Sequence, residues 1–313
     1  MRTNPRTAES ETAPAAAAQT TTVNGRRPAK AQRTLSRPAV GRVLVVTSLY
    51  TLLIIVTLIV LFPIIWMLLT SFKTESEVNA FPPTILPHTW TVDAYSKILK
   101  LYPFLRFLLN SLLISSAVTI GTLISCAMAA FALVYLRFRG REFIFLVILG
   151  TLTVPFAATM VPIFAEMSKI GWINTWYPLI VPAFLGNAYG IFLLRQLFRG
   201  IPRELGEAAT LDGCGPLRVL RNIYVPLSTS AFTALGVVTF INSWNNMISP
   251  LIFVNDQNKM PVAVGLAYLN GQGSAIWSWL MAASTLSVIP LLLMYTLGQR
   301  YVVAGMTMSG ANR

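Results

Sequence analysis

The chain has 313 residues, of which 55% are hydrophobic and 11% charged, whereas an ordinary soluble domain carries about 25% charged residues; this excludes a soluble globular protein and implies a multi-pass membrane protein. A net charge of +13 would suggest nucleic acid if it formed one patch on a soluble domain, but the basic residues stand at the ends of apolar segments, where they set topology. Cys126 and Cys214 form no CxxC pair, and with the single His88 they leave no metal-ligand constellation.

Residues 1–42 lack large apolar side chains and read as a disordered basic tail. They are not a cleavable signal peptide, because the apolar run that follows is too long for one. That run, 43–69, exceeds the roughly 20 helical residues that cross a hydrocarbon core. Five further segments follow at 105–135, 143–165, 177–198, 228–253 and 276–299, so the expectation is an all-α, six-span transmembrane bundle over 43–299. A C-terminal tail, 300–313, completes the chain. Pro155 and Pro162 interrupt the third span. Neighbouring helices can satisfy the carbonyls that prolines free, and these two read either as plain kinks or as gates.

Eighteen of the 24 Lys and Arg fall on one side of this layout. They include the tail, Arg137, Arg139, Arg141, and the arginines from Arg195 to Arg221. The positive-inside rule therefore puts both termini and the 200–227 loop in the cytoplasm. On the outer side, 73–104 and 254–275 are long enough either to touch something outside the membrane or to be ordinary connectors.

The 200–227 loop is the chain's anomaly, a charged interruption between apolar spans. Pro202 suits a first helical turn, and Glu204 and Glu207 suit its positive N-terminal end. Ala208 and Ala209 continue the helix with little bulk, and Gly213 and Gly215 end it. Pro216 begins a second helix in which Leu217, Leu220 and Tyr224 recur opposite Arg218 and Arg221, with Pro226 closing it. The expected form is helix, tight turn, helix. It acts either as a docking knob for another protein or as an amphipathic segment lying on lipid.

Within the fifth span, Asn242, Asn245, Asn246 and Ser249 fall within about 100° of arc at helical pitch. Two readings stand for this stripe: a path for hydroxylated substrate, or interhelical hydrogen bonding. Asn187 and Tyr189, midway along the fourth span, form a second such candidate. No acidic residue is central in any span, which argues against a proton-coupled carrier. No G-x-x-x-x-G-K-[ST] phosphate loop is present, so energy must come from a partner.

The spacing Glu207-Ala208-Ala209-x-x-Asp212-Gly213 followed by Ile223-x-Val225-Pro226 resembles the EAA loop of ABC importer permeases. The stretches "FLLRQLFRGIPREL" (192–205), "FINSWNNMISPLIF" (240–253) and "LMAASTLSVIPLLLMYTLGQRYVVAGMT" (280–307) resemble the carbohydrate, maltose-type branch. Val225 stands where that family usually has Leu, and Leu220 where it often has Phe. The resemblance implies a non-catalytic subunit of a binding-protein-dependent sugar importer in the bacterial inner membrane. Glu204, Glu207, Ala208, Ala209, Asp212, Gly213, Arg218 and Pro226 would form the ATPase-coupling loop. It also implies a C-terminal tail, near Gly305 and Met306, reaching toward the ATPase. The implied partners are a second homologous permease, a cytoplasmic ATPase dimer holding ATP and Mg, an extracytoplasmic solute-binding protein, a sugar and membrane lipid, with no nucleic acid. This chain would bind no cofactor and no metal. The alternatives are a secondary carrier, or a membrane-embedded enzyme acting on lipid-linked sugars; the enzyme would need a carboxylate or histidine cluster that the sequence lacks.

Overall fold

The computed structural model describes residues 40–271 and 276–310, with side chains over 44–271 and 276–299. The expected tail falls almost wholly outside the described residues. The chain divides into two units, 1–56 and 57–313. Among the described residues the only regular structure is helical.

The helix α1 (Val40–Ser71) runs across the division. Within the larger unit its apolar residues Leu58, Ile59 and Val60 are exposed, as suits a surface solvated by lipid. The short α2 (Glu75–Val78) and amphipathic α3 (Asp93–Leu101) follow. Lys97 pairs with Asp93 at 2.6 Å one turn earlier in α3, and Ile98 is fully buried.

Next comes α4 (Phe104–Tyr135), the hub of the fold. Its middle is rich in Ser, Gly and Ala, and small residues let membrane helices approach closely, since apolar burial drives little association inside lipid. A Cβ placed on Gly190 would lie 2.7 Å from Cys126 Sγ of α4, so only glycine permits that approach.

The third expected span is sharply bent. It consists of α5 (Arg141–Gly150), a 3₁₀ turn at Thr151–Thr153, and α6 (Phe156–Lys169), with a 100° bend between the two parts. Pro155 stands at the bend, while Pro162 is carried inside α6. The fourth is α7 (Tyr177–Ile180), a 3₁₀ turn at Val181–Leu185, and α8 (Ala188–Arg199), interrupted at Gly186 and Asn187.

The charged region holds α9 (Arg203–Leu211), α10 (Pro216–Val219), a π turn at Leu220–Tyr224 and α11 (Val225–Leu227). An 84° bend leads into α12 (Thr229–Trp244), followed by α13 (Ile248–Phe253), α14 (Val262–Asn270) and α15 (Trp277–Gly310).

Among the described residues four helical stretches are long and apolar enough to cross a membrane, and up to six if each bent pair counts as one. One expectation needs correcting. The fifth segment does not run from 228 to 253 as one helix, because α12 ends at Trp244 and α13 begins only at Ile248. The last helix, α15, stays helical through Gly310, across the 299/300 position that is the expected start of the tail. The side chains of Gly305 and Met306 lie outside those described.

Two apolar clusters hold the larger unit together. One joins α4, α8 and the charged loop around Phe131, Leu194, Phe198, Leu220 and Tyr224. The other joins α3, α4, α12, α14 and α15 around Ile98, Phe104, Phe107, Phe240, Trp244, Val262 and Ala283. Both contain aromatic rings, and edge-on ring contacts such as Phe131–Tyr224, with centroids 5.0 Å apart, add to simple burial.

Candidate functional site

Two features are candidates for function: the charged loop at one end of α4 and a cavity beside its middle with hydroxyls and amides in its wall. In the loop, α9 ends in a Schellman arrangement. The Cys214 N–H donates to Ala209 O at 2.9 Å and the Gly213 N–H to Thr210 O at 3.0 Å. Gly213 sits at φ +83°, the left-handed region that glycine enters without Cβ strain. Gly215 is extended and precedes α10 instead of ending α9. The buried face of the second helix is Val219, Leu220 and Tyr224, whereas Leu217 is exposed. The expected Leu217–Leu220–Tyr224 face is thus only partly buried, with Leu217 turned outward.

Glu204, Glu207, Ala208, Asp212, Gly213, Arg218 and Pro226 are all exposed, and Ala209 is half-buried. Leu205, Leu211 and Leu217 are exposed on the same loop, Leu211 at 91%. Charges, small residues and leucines are thus exposed together along the loop.

The back of the knob is strapped to α4. Tyr135 Oη donates to Gly206 O at 2.9 Å and shares a hydrogen bond with Thr210 Oγ1 at 2.7 Å. Arg203 Nη2 donates to Tyr135 O at 2.9 Å. A Cβ on Gly206 would meet the Tyr135 ring at 2.5 Å, so glycine is needed for this contact. Rings from three elements meet here, with Tyr224 edge-on to Phe131 and to Phe198 at 5.2 Å, and Tyr135 stacked on Phe131 at 4.9 Å. Glu207 lies 3.5 Å from Arg137 and 3.8 Å from Arg203.

The cavity, about 570 Å³, is lined by α4 (Ser111, Ser115, Thr122), the broken fourth segment (Gly186, Asn187, Tyr189) and α12 with its continuation (Thr239, Asn242, Ser243, Asn246). No charged side chain lines it. The helix break beside it is repaired by α4. Ser125 Oγ donates to Ala183 O at 2.9 Å, and Asn187 Oδ1 accepts the Gly190 N–H at 2.7 Å as the cap of α8. Irregular backbone at membrane depth is tolerated where it is buried or lines a cavity. The Ser115 hydroxyl is buried without a partner.

Of the expected polar stripe, Asn242 and Asn246 reach the cavity, together with Asn187 and Tyr189. Asn245 and Ser249 are not among its lining residues. Asn245 is exposed at the end of α12, and Ser249 bonds back to Asn246, whose Oδ1 accepts the Ser249 N–H at 3.2 Å. The stripe assumed one unbroken helix, and the break after Trp244 divides it. Sequence reasoning missed the α4 hydroxyls Ser111, Ser115 and Thr122 as cavity residues; their three- to four-residue spacings (Ser111, Ser115, then Thr119 and Thr122) were a legible signal. It also missed Tyr135, Arg137 and Arg203 as braces of the loop.

The profile of the family described as "binding-protein-dependent transport system inner membrane component" matches residues 121–308, which include the charged loop and most of the cavity. The chain belongs to this family. The permease is 33% identical to the sn-glycerol-3-phosphate transport system permease protein UgpE of Brucella abortus, over 82% of this chain and 94% of that one. It is also 33% identical to the trehalose/maltose transport system permease protein MalG of Thermococcus litoralis, over 81% and 92%. Among solved structures, a bacterial ABC transporter that imports the acidic polysaccharide alginate matches with a TM-score of 0.74 at 25% identity, covering 85% of this chain and 99% of that one. Members of the family are non-catalytic permease subunits of ABC transporters whose ATPase is a separate chain. The permease accordingly belongs in a membrane, and its enzyme and secondary-carrier alternatives fall away.

Proposed function

We propose that the permease imports a neutral sugar as one of two homologous six-span subunits. An ATPase dimer holding ATP and Mg would sit against its 200–227 loop, and a solute-binding protein outside would deliver the substrate. In this reading both termini and the loop face the cytoplasm of a bacterial cell, as the Lys and Arg distribution supports. Relatives carry glycerol phosphate, arabino-oligosaccharides, trehalose and maltose by name. The observation that favours a neutral sugar is the cavity wall. It offers hydroxyls and amides, which can both donate to and accept from sugar hydroxyls, and no cation to neutralise a phosphate or carboxylate.

The loop transmits ATPase motion in this reading because it is strapped to Tyr135, the last residue of the helix that lines the cavity. Movement of α9 against the ATPase would pull α4, and with it Ser111, Ser115 and Thr122. The test is sugar-stimulated ATP hydrolysis by the assembled complex. Gly213→Pro forbids the left-handed turn and Glu207→Lys reverses the charge between two arginines; both should abolish stimulation. Undiminished stimulation in an intact complex would remove the loop from coupling.

A further inference from the structure

We infer that the arginine-lined groove behind the charged loop binds a phosphate-bearing anion, supplied either as a phospholipid headgroup or as a free phosphate compound. Two hollows, of about 470 and about 200 Å³, adjoin there and share Arg141 and Arg203 in their walls. Arg137 and Arg139 line the outer one, and Arg199 lines the inner one beside Glu142. Arg195, whose side chain is 2% exposed, lies behind Glu142 and donates to both of its oxygens at 2.8 and 2.7 Å.

Six guanidinium groups here share two carboxylates. Glu142 is divided among Arg141, Arg195 and Arg199, and Glu207 between Arg137 and Arg203. Arg139 forms no ion pair among the described residues. So much positive charge gathered in one concave surface repels itself unless an anion enters. Arginine is suited to that anion, because its planar fork bonds two phosphate oxygens at once. A second sign comes from the inner hollow. Tyr224 lines it, is fully buried, and its hydroxyl has no hydrogen-bond partner, a state that buried polar groups rarely keep. An anion in the groove would supply acceptors to Tyr224, Arg139 and the under-shared arginines. It would also compete with Glu207 for Arg137 and Arg203, and so loosen the ion pairs at the back of the loop.

Basic residues beside membrane helices attract anionic lipid without forming a site, so the test must separate a groove from general charge. The full chain, purified and delipidated in a neutral detergent, is titrated with dioctanoyl phosphatidylglycerol, with dioctanoylglycerol and with inorganic phosphate, and bound equivalents are read by native mass spectrometry and calorimetry. One saturable equivalent of phosphatidylglycerol, with none of dioctanoylglycerol, is expected if the source is lipid; saturable inorganic phosphate identifies a soluble source. The pair Arg139→Gln with Arg141→Gln should weaken binding about tenfold, the loss expected from one charged hydrogen bond. The pair Arg218→Gln with Arg221→Gln, which removes the same charge from exposed positions outside the groove, should leave binding unchanged. Should the first pair fail to fold, Arg139→Lys with Arg141→Lys keeps the charge and loses the forks, and should still weaken binding. Saturable binding of neither phosphate source, or equal weakening by the groove pair and the exposed pair, would overturn the proposal.

Discussion

Replacing Tyr135 by Phe removes one oxygen from the strap between the charged loop and α4. Three close contacts meet there: Tyr135 Oη to Gly206 O at 2.9 Å, Tyr135 Oη to Thr210 Oγ1 at 2.7 Å, and Thr210 Oγ1 to Gly206 O at 2.9 Å. Two hydroxyl hydrogens serve all three, so two hydrogen bonds exist at any moment. In the Tyr135→Phe variant Thr210 still donates to Gly206 O, which leaves one bond and no orphaned carbonyl. The ring keeps its stacking on Phe131 at 4.9 Å. The net loss is therefore one neutral hydrogen bond, about 1 kcal/mol, or about a fivefold shift in the strapped population. In the reconstituted complex, sugar-stimulated ATP hydrolysis and sugar transported per ATP should fall by up to that factor, with unstimulated hydrolysis and complex yield unchanged. A variant that couples as well as the wild type would refute the claim that α4 carries the loop's motion. Loss of assembly would show that Tyr135 serves folding instead.

Three further outcomes follow from the same geometry. Glu142→Gln leaves the buried Arg195 without its carboxylate; removing one partner of a buried pair costs about 3–5 kcal/mol, less here because Glu142 is 54% exposed, and the thermal midpoint of the purified chain should drop by several degrees. Asn187→Ala removes the cap of α8 at the helix break and should cost about 1 kcal/mol, with Asn187→Asp restoring it; an Ala variant as stable as the wild type would mean the break is held without that cap, by contacts such as Ser125 Oγ to Ala183 O. Glu77 is held below its ordinary carboxylate pKa chiefly by the His88 N–H, which donates to it, and also by Thr84. A depressed folded-state value stabilises the 77–88 segment above the ordinary pKa of about 4.3 and loses that stabilisation as pH falls through the depressed value. The protection factor of the His88 amide, its exchange rate taken against the intrinsic rate at each pH, should fall as pH drops through that acidic window and stay constant above it.

Much of the design is legible in order along the chain. Spans of the right length and the charge bias follow from local composition, because a lipid solvent demands about twenty consecutive apolar helical residues wherever the chain crosses. The helix–turn–helix of the charged loop is legible for a related reason, since Pro202, Gly213 and Pro216 impose their backbone preferences without help from neighbours. The asparagine stripe was less secure. Its geometry holds only if one helix continues, and neither Asn245 nor Met247 announces a break. That break depends on what packs nearby: Trp244 is fixed in an apolar cluster with Phe240 and Ala283, and Asn246 turns to cap the next segment.

By itself, then, the sequence determined a helical membrane protein with a charged loop between its spans, because hydropathy, charge bias and turn residues act over a few positions; the family came from the loop's resemblance to a known motif. Only the tertiary structure decided which polar residues share a space. It placed Ser115, Asn187 and Asn242 around one cavity, seated Tyr135 against Gly206 some seventy positions away, and gathered arginines from the turn after α4, from α5, α8 and α9 into one groove. Such meetings depend on helix crossings and breaks, which are settled by close packing between distant segments and leave no periodic trace within any one of them.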